Sequence, residues 1–292
     1  MKGLDIREKD GAVIVEGIRD FDLKQTFECG QCFRWNRETD GSYTGVVFGR
    51  ILNIKQENQL WIFSNTTIED FYEFWFEYFD LNRDYNEIKT KLSQNDPTIN
   101  KAIWFGEGIR ILKQDEWETL ISFILSQNRS IPIIKKNIEA LCLKYGNFIE
   151  KYRGRDYYSF PSPERLSEAN AQDIGRCKVG YRAKYIEKTA KVVKESKEEL
   201  YSLNKSSLEE AQQYLLSLFG VGPKVAHCIM LFSMQKYESF PVDVWIMKIM
   251  KELYGLNNIQ TIQEYALKSY NQYGGFAQQY LFYYAREKGI GK

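Results

Sequence analysis

Histidine is almost absent from this sequence: His227 is the only one in 292 residues. Cysteine is scarce and odd in number, at positions 29, 32, 142, 177 and 228. Cys29-Gly30-Gln31-Cys32 has the spacing of a zinc or redox pair. No second pair or nearby histidine completes the roughly four ligands that zinc takes, so no metal is expected. An odd count without a secretion signal speaks against a disulfide framework, and no cysteine cluster near the end of the chain suggests an iron–sulfur centre. Also missing is any apolar run near the ~20 residues of a membrane span, and Met1-Lys2-Gly3-Leu4-Asp5 lacks a leader's apolar core. The expectation is a soluble, intracellular protein with no membrane contact. Only six prolines occur, and with many lysines and isoleucines this suits a prokaryotic source, hence cytoplasm or nucleoid.

Net charge is also nearly absent, at +1 from 40 basic and 39 acidic residues. A non-specific nucleic-acid binder usually carries more. Local distribution differs from the total. From Gly175 to Lys194 there are seven basic residues against Glu187 alone. Such a run is commonly a solvated helix face. Here Val179-Gly180-Tyr181 stands within it, an aromatic at a glycine break, which suits insertion into nucleic acid.

What the chain does have is apolar and aromatic bulk. Hydrophobic residues make up 43% and aromatics 15%, enough for two domains or one large domain with subdomains. Up to about residue 65 the pattern is of strands. Ala12–Val15, Cys32–Asn36, Tyr43–Phe48, Ile51–Lys55 and Leu60–Phe63 are short β-rich runs, with Asp40-Gly41 as a hairpin turn. Their linkers are too short for parallel crossovers, so the pairing is antiparallel.

From Thr67 onward the period is helical. Thr67-Ile68-Glu69-Asp70 caps a helix through Phe71, Trp75 and Phe79, and Asp115 opens another with Leu120, Ile121, Ile124 and Leu125 buried. Ser207-Leu208-Glu209-Glu210 starts a third. Further helices are expected at 131–145, 180–196, 241–254 and 276–287. The fold class is α+β. An N-terminal antiparallel β-sheet domain with helices (1–115) precedes an all-helical domain (116–292), whose last helices pack back on the first.

The chemistry concentrates in Leu218-Phe219-Gly220-Val221-Gly222-Pro223-Lys224-Val225-Ala226-His227-Cys228. A glycine-rich turn joins two helix-patterned runs, and backbone N–H groups at the second helix N-terminus form a ready anion site. The positive end of a helix dipole disfavours an ammonium, one route to a neutral amine nucleophile. Asp243 follows Lys224 by 19 residues, before Val-Trp-Ile-Met, and is a plausible helix N-cap on its own. Each part alone is commonplace. Jointly they resemble the helix-hairpin-helix DNA glycosylases.

Four more segments narrow the resemblance to the 8-oxoguanine DNA glycosylases: Gly30–Trp35, Ser122–Asn128, Gly180–Tyr185 and Gly275–Phe282. With the hairpin they stand in family order and span nearly the whole chain. The resemblance implies a bifunctional enzyme, a DNA glycosylase and AP lyase acting on 8-oxoguanine in double-stranded DNA, with no cofactor and as a monomer. Lys224 is then the Schiff-base nucleophile and Asp243 the carboxylate that stabilises charge on the sugar. Gly30, Cys228, Gln278 and Phe282 form the base pocket. Gly220, Gly222 and Val225 hold DNA phosphate through their amides. Asn128, Tyr181 and Arg182 fill the vacated stack and meet the opposite strand, since the base must be flipped out.

Three positions depart from the family pattern. Ile133 stands where relatives use a second arginine, Arg129 replaces an asparagine, and Trp245 replaces a histidine. Arg129 would share a face with Ile133 if the helix already included it. His227 is expected to point away from the pocket if Cys228 points in, and to be structural. Two other readings stay open: a helix-hairpin-helix glycosylase for another damaged purine, and a non-catalytic DNA-binding module.

Overall fold

In a computed structural model, residues 3–94 and 96–290 are described. Met1 and Lys2, the start of the segment read above for a leader, lie outside them, as do Asn95, Gly291 and Lys292. Six antiparallel strands form one sheet: β1 (Asp5–Lys9), β2 (Ala12–Glu16), β3 (Trp35–Arg37), β4 (Tyr43–Val47), β5 (Arg50–Glu57) and β6 (Leu60–Ser64). Their spatial order is β1-β2-β6-β5-β4-β3. The β1–β2 turn uses Asp10 and Gly11 at φ 53° and 74°, the paired left-handed residues that match the strand twist. β1 lacks a buried apolar face, which is why alternation does not reveal it. β3 is shorter than Cys32–Asn36, because Cys32 to Arg34 form a bend rather than a paired edge.

The sheet buries one aromatic face. Phe27, on the helix Leu23–Glu28, stacks on Trp35 at 4.2 Å, and Trp35 Nε1 donates to the Tyr78 hydroxyl at 2.9 Å. Thr67 caps the next helix by accepting from the Asp70 N–H, and a π-helical turn at Phe71–Trp75 follows. That turn lets both Phe71 and Trp75 enter the core.

The helical part has a larger core. Asp115 caps Glu116–Ser126, and Ser207 with Glu210 makes a capping box for Leu208–Ser217. The segment Ile131–Tyr145 is helical as expected. Helices Tyr85–Ser93 and Pro97–Phe105 share this core with Gly274–Lys288, through pairs such as Tyr85–Phe276 and Phe105–Tyr283. No helix among the described residues is long and apolar enough to cross a membrane.

Within the helical part the chain also makes a hairpin, β7 (Phe148–Tyr152) with β8 (Arg155–Tyr158). It turns at Arg153 and Gly154, both at positive φ. The hairpin reaches the sheet: Arg153 pairs with Asp40 at 2.7 Å and Arg155 with Glu38 at 3.3 Å. Asp40 lies in the β3–β4 turn anticipated from Asp40-Gly41.

Gly45 faces Trp35 across the β3–β4 register. A Cβ there would lie 2.4 to 2.8 Å from three atoms of the Trp35 ring. That ring is held by its stack on Phe27 and its bond to Tyr78. Gly45→Ala is therefore expected to cost about 1–3 kcal/mol of stability through overpacking. Urea unfolding should show a lower midpoint with an unchanged slope.

Candidate active site

Helices Leu208–Ser217 and Pro223–Phe232 flank the turn 218–222. Gly220 sits at φ 79°, and a Cβ there would fall 2.6 Å from Cγ of Tyr185. Both the left-handed backbone and the close aromatic demand glycine. Gly222 differs: its φ is −100° and its side-chain direction is open space. Only one of the two glycines is therefore needed for conformation. The other, as N-cap, leaves the approach to the helix end clear. The turn is pinned from outside, by Gln127 Nε2 donating to the Gly220 carbonyl at 2.9 Å and Thr189 Oγ1 to that of Phe219 at 2.8 Å.

Pro223 occupies the first helical position, so the first free N–H groups of that helix belong to Lys224 and Val225. The Val225 side chain is buried beneath them. Lys224 is half-buried, with Nζ 5.3 Å from the centre of the Phe123 ring. Asp243 caps Val244–Tyr254, its Oδ1 accepting from the Ile246 N–H at 2.8 Å. This leaves Oδ2 for other partners.

Lys224 and Asp243 line one cavity of about 670 Å³ together with Gly30, Phe33, Phe123 and Phe282. Gly30 has φ 89°, and a Cβ on it would touch Phe282 at 3.5 Å. Residues about 250 positions apart in sequence thus form adjoining walls. Cys228 and Gln278 are not among the lining side chains. Cys228 is buried behind Lys224, one helical turn on. Burial pushes its thiol up, the neighbouring Lys224 charge opposes this, and Asp243 adds to it. Gln278 is buried within Gly274–Lys288, where its Oε1 accepts from Gln279 Nε2 at 2.9 Å.

The cavity has a basic lining, of which Arg37, Lys135 and Arg286 were not anticipated from the sequence. Arg37, Arg129, Lys135, Arg286 and Lys224 stand against Glu28 and Asp243. An excess of positive charge suits a polyanion. Arg286 is one helical turn beyond Phe282, and that spacing could have found it. Glu28, Arg37 and Lys135 arrive through tertiary contacts. Glu28 accepts from the Tyr43 hydroxyl at 2.6 Å, and Lys135 donates to the Trp35 carbonyl. Trp245 lines the cavity as well.

Asn128, Tyr181 and Arg182 gather beside the cavity rather than in it. Asn128 is exposed at φ 52°, a left-handed residue between two helices. Tyr181 is exposed, while Arg182 is buried with its guanidinium 4.4 Å from the Tyr181 ring. The condition set for Arg129 is not met. Ser130 is the N-cap and the helix starts at Ile131, so Arg129 lies outside it and shares no helix face with Ile133. His227 is half-buried, does not line the cavity, and has its pKa lowered by burial. Cys29 and Cys32 are both buried free thiols, and burial pushes Cys29 up to about 11.

Known proteins resemble this chain in sequence and in fold. Residues 13–120 match the family model of the 8-oxoguanine DNA glycosylase N-terminal domain. Residues 121–271 match that of the HhH-GPD superfamily base excision DNA repair proteins. A probable N-glycosylase/DNA lyase of Methanothermobacter thermautotrophicus is 30% identical over 94% of this chain and 96% of its own. The structure of Clostridium acetobutylicum 8-oxoguanine glycosylase/lyase, in complex with double-stranded DNA containing cytosine opposite 8-oxoG, superposes with a TM-score of 0.94. It is 44% identical and covers 99% of this chain and 100% of that one. MBOgg1, in complex with a low-affinity DNA ligand, gives a TM-score of 0.95 at 51% identity, with 99% and 100% covered. This chain belongs to the HhH-GPD superfamily of base excision DNA repair proteins, with the N-terminal domain of the 8-oxoguanine DNA glycosylases.

Proposed function

We propose that this protein is a bifunctional DNA glycosylase and AP lyase that removes 8-oxoguanine from duplex DNA. One observation carries the reading. A lysine at a helix N-terminus and a capping aspartate share a cavity whose opposite wall is Gly30 against Phe282. A flipped base stacked on Phe282 would lie beside the Gly30 backbone. Oxidation at C8 turns guanine N7 from an acceptor into an N–H donor, which a backbone carbonyl can test. The free amine of Lys224 then attacks the anomeric carbon as the glycosidic bond breaks and its electrons leave with the base. Loss of a proton from nitrogen lets its lone pair open the sugar ring, breaking C1′–O4′ as O4′ takes a proton, which gives the protonated Schiff base; removal of a C2′ proton then breaks the C3′–O bond and expels the 3′ phosphate. Asp243 has an oxygen free of its cap to face positive charge developing on the sugar. Phosphate is held by the amides of Gly220, Gly222 and Val225.

Lys224→Gln is expected to abolish borohydride trapping and strand nicking on an 8-oxoguanine duplex, while lesion binding persists through the hairpin amides. Trapping at the wild-type level would assign the nucleophile elsewhere. Phe282→Ala removes a stacking face worth roughly 1–3 kcal/mol per base. Lesion cleavage should fall more than binding to an abasic duplex, which has no base to stack. An equal fall would make Phe282 a packing residue only.

Ile133 generates a prediction about the partner base. Its side chain is 42% exposed, so it faces solvent where relatives present an arginine. Cytosine opposite the lesion offers acceptors at O2 and N3, and an isoleucine donates to neither. The loss of one good polar contact removes about 1–3 kcal/mol of discrimination. Adenine or thymine opposite 8-oxoguanine should therefore be tolerated better than by relatives with both arginines, and Ile133→Arg should sharpen the choice. Single-turnover excision with each of the four opposite bases checks this, and a cytosine preference of a hundredfold or more contradicts it.

A further inference from the structure

Two arginines without a carboxylate partner among the described residues meet at Gly180. Arg182 is 3% exposed, and its guanidinium donates only to backbone carbonyls, those of Gln127 and Val179. Arg129 Nη2 donates to the Lys178 carbonyl at 3.1 Å. In both side chains Nε is buried and has no acceptor. Gly180, at φ 64°, lies between them. A methyl built on it would stand 3.4 Å from Arg129 Nη2 and 3.8 Å from Arg182 Nη1, with no other described atom outside its chain neighbours within 4 Å. The result is a notch with a bare glycine floor and a guanidinium on each side. Behind it begins the helix Arg182–Glu195, whose N-terminus has no side-chain cap.

The electrostatics of this notch are unbalanced. Burial lowers the Arg182 pKa, and the charge of Arg129 lowers it further. Tying the turn together with carbonyl bonds does not require two like charges side by side. An anion entering between them lowers the energy of both. A phosphate oxygen just outside the methyl position can accept one N–H from each guanidinium.

We propose that the Gly180 notch is a backbone-phosphate site for undamaged duplex DNA, with Arg129 as its sequence-independent cation. The identity of the polyanion rests on the glycosylase reading, while the notch rests on the geometry. The test is the affinity of the full chain for undamaged duplex across a salt series. Losing one phosphate contact should make the slope of log affinity against log salt shallower by about 0.9. Arg129→Gln is expected to show that change, by the same amount on duplexes of different sequence, and Arg129→Lys to keep most of the wild-type slope. Arg129→Met, which retains the aliphatic stem, serves if a thermal melt shows Arg129→Gln unfolded. An unchanged slope in a folded variant overturns the proposal. So does an altered ratio of excision rates among the four opposite bases, which would make Arg129 a base reader. A wild-type protein unable to cleave 8-oxoguanine would sink the proposed function instead and leave the slope measurement standing.

Discussion

The buried amide of Gln31 is the contact on which the arrangement turns. With no exposed surface, it donates from Nε2 to the carbonyls of Thr26 at 2.9 Å and Arg110 at 2.7 Å. Its Oε1 accepts from the Leu112 N–H at 2.9 Å, and its own carbonyl accepts from Gln114 Nε2 at 2.8 Å. A buried amide so saturated specifies one geometry, because each lost bond leaves a backbone group unpaired at about 1–3 kcal/mol. The consequence is a fixed backbone on either side. Cys29 and Phe33 are driven into the helical core, while Cys32 and Trp35 enter the aromatic core of the sheet. Gly30 is left facing Phe282, with nowhere else to go.

The opposite wall is fixed by an independent set of contacts. Gln127 and Thr189 hold the carbonyls of the glycine turn, and Tyr185 closes on Gly220. These partners come from the ends and faces of two other helices, so the lysine-bearing helix starts at a defined point. Asp243 is placed by its own capping bond. The cavity therefore needs no strained residue at its centre. Strain is confined to its edge, where Asn128 and Lys178 adopt positive φ without being glycine.

Local signals carried much of this into the sequence. Thr67, Asp115, Ser207 with Glu210, and Asp243 are caps whose chemistry is complete within four residues, and all four are caps in the structure. The hairpin, with its lysine, was legible for the same reason. What depended on distant partners was not. The β7–β8 hairpin is held by Asp40 and Glu38, more than a hundred positions away. Helices Tyr85–Ser93 and Pro97–Phe105 bury their apolar residues against the last helix. Glu28, Arg37 and Lys135 reach the cavity only because the sheet edge and the helix Ile131–Tyr145 meet there. Arg129 shares no helix face with Ile133, because Ser130 and not an earlier residue caps that helix.

That Gly30 and Phe282 face each other across the cavity also bears on the order of events during folding. The glycine hairpin and its lysine come from neighbouring residues, 208–232, and their outside pins, Gln127, Tyr185 and Thr189, lie within about a hundred positions. The wall they face belongs to the last helix and to the segment before β3, contacts of nearly maximal sequence separation, which close late because they carry the largest loop entropy. An emerging or partly unfolded chain therefore holds a lysine at a helix end with no chamber around it. The helix end that carries Lys224 and the chamber around it thus rest on contacts of very different sequence separation.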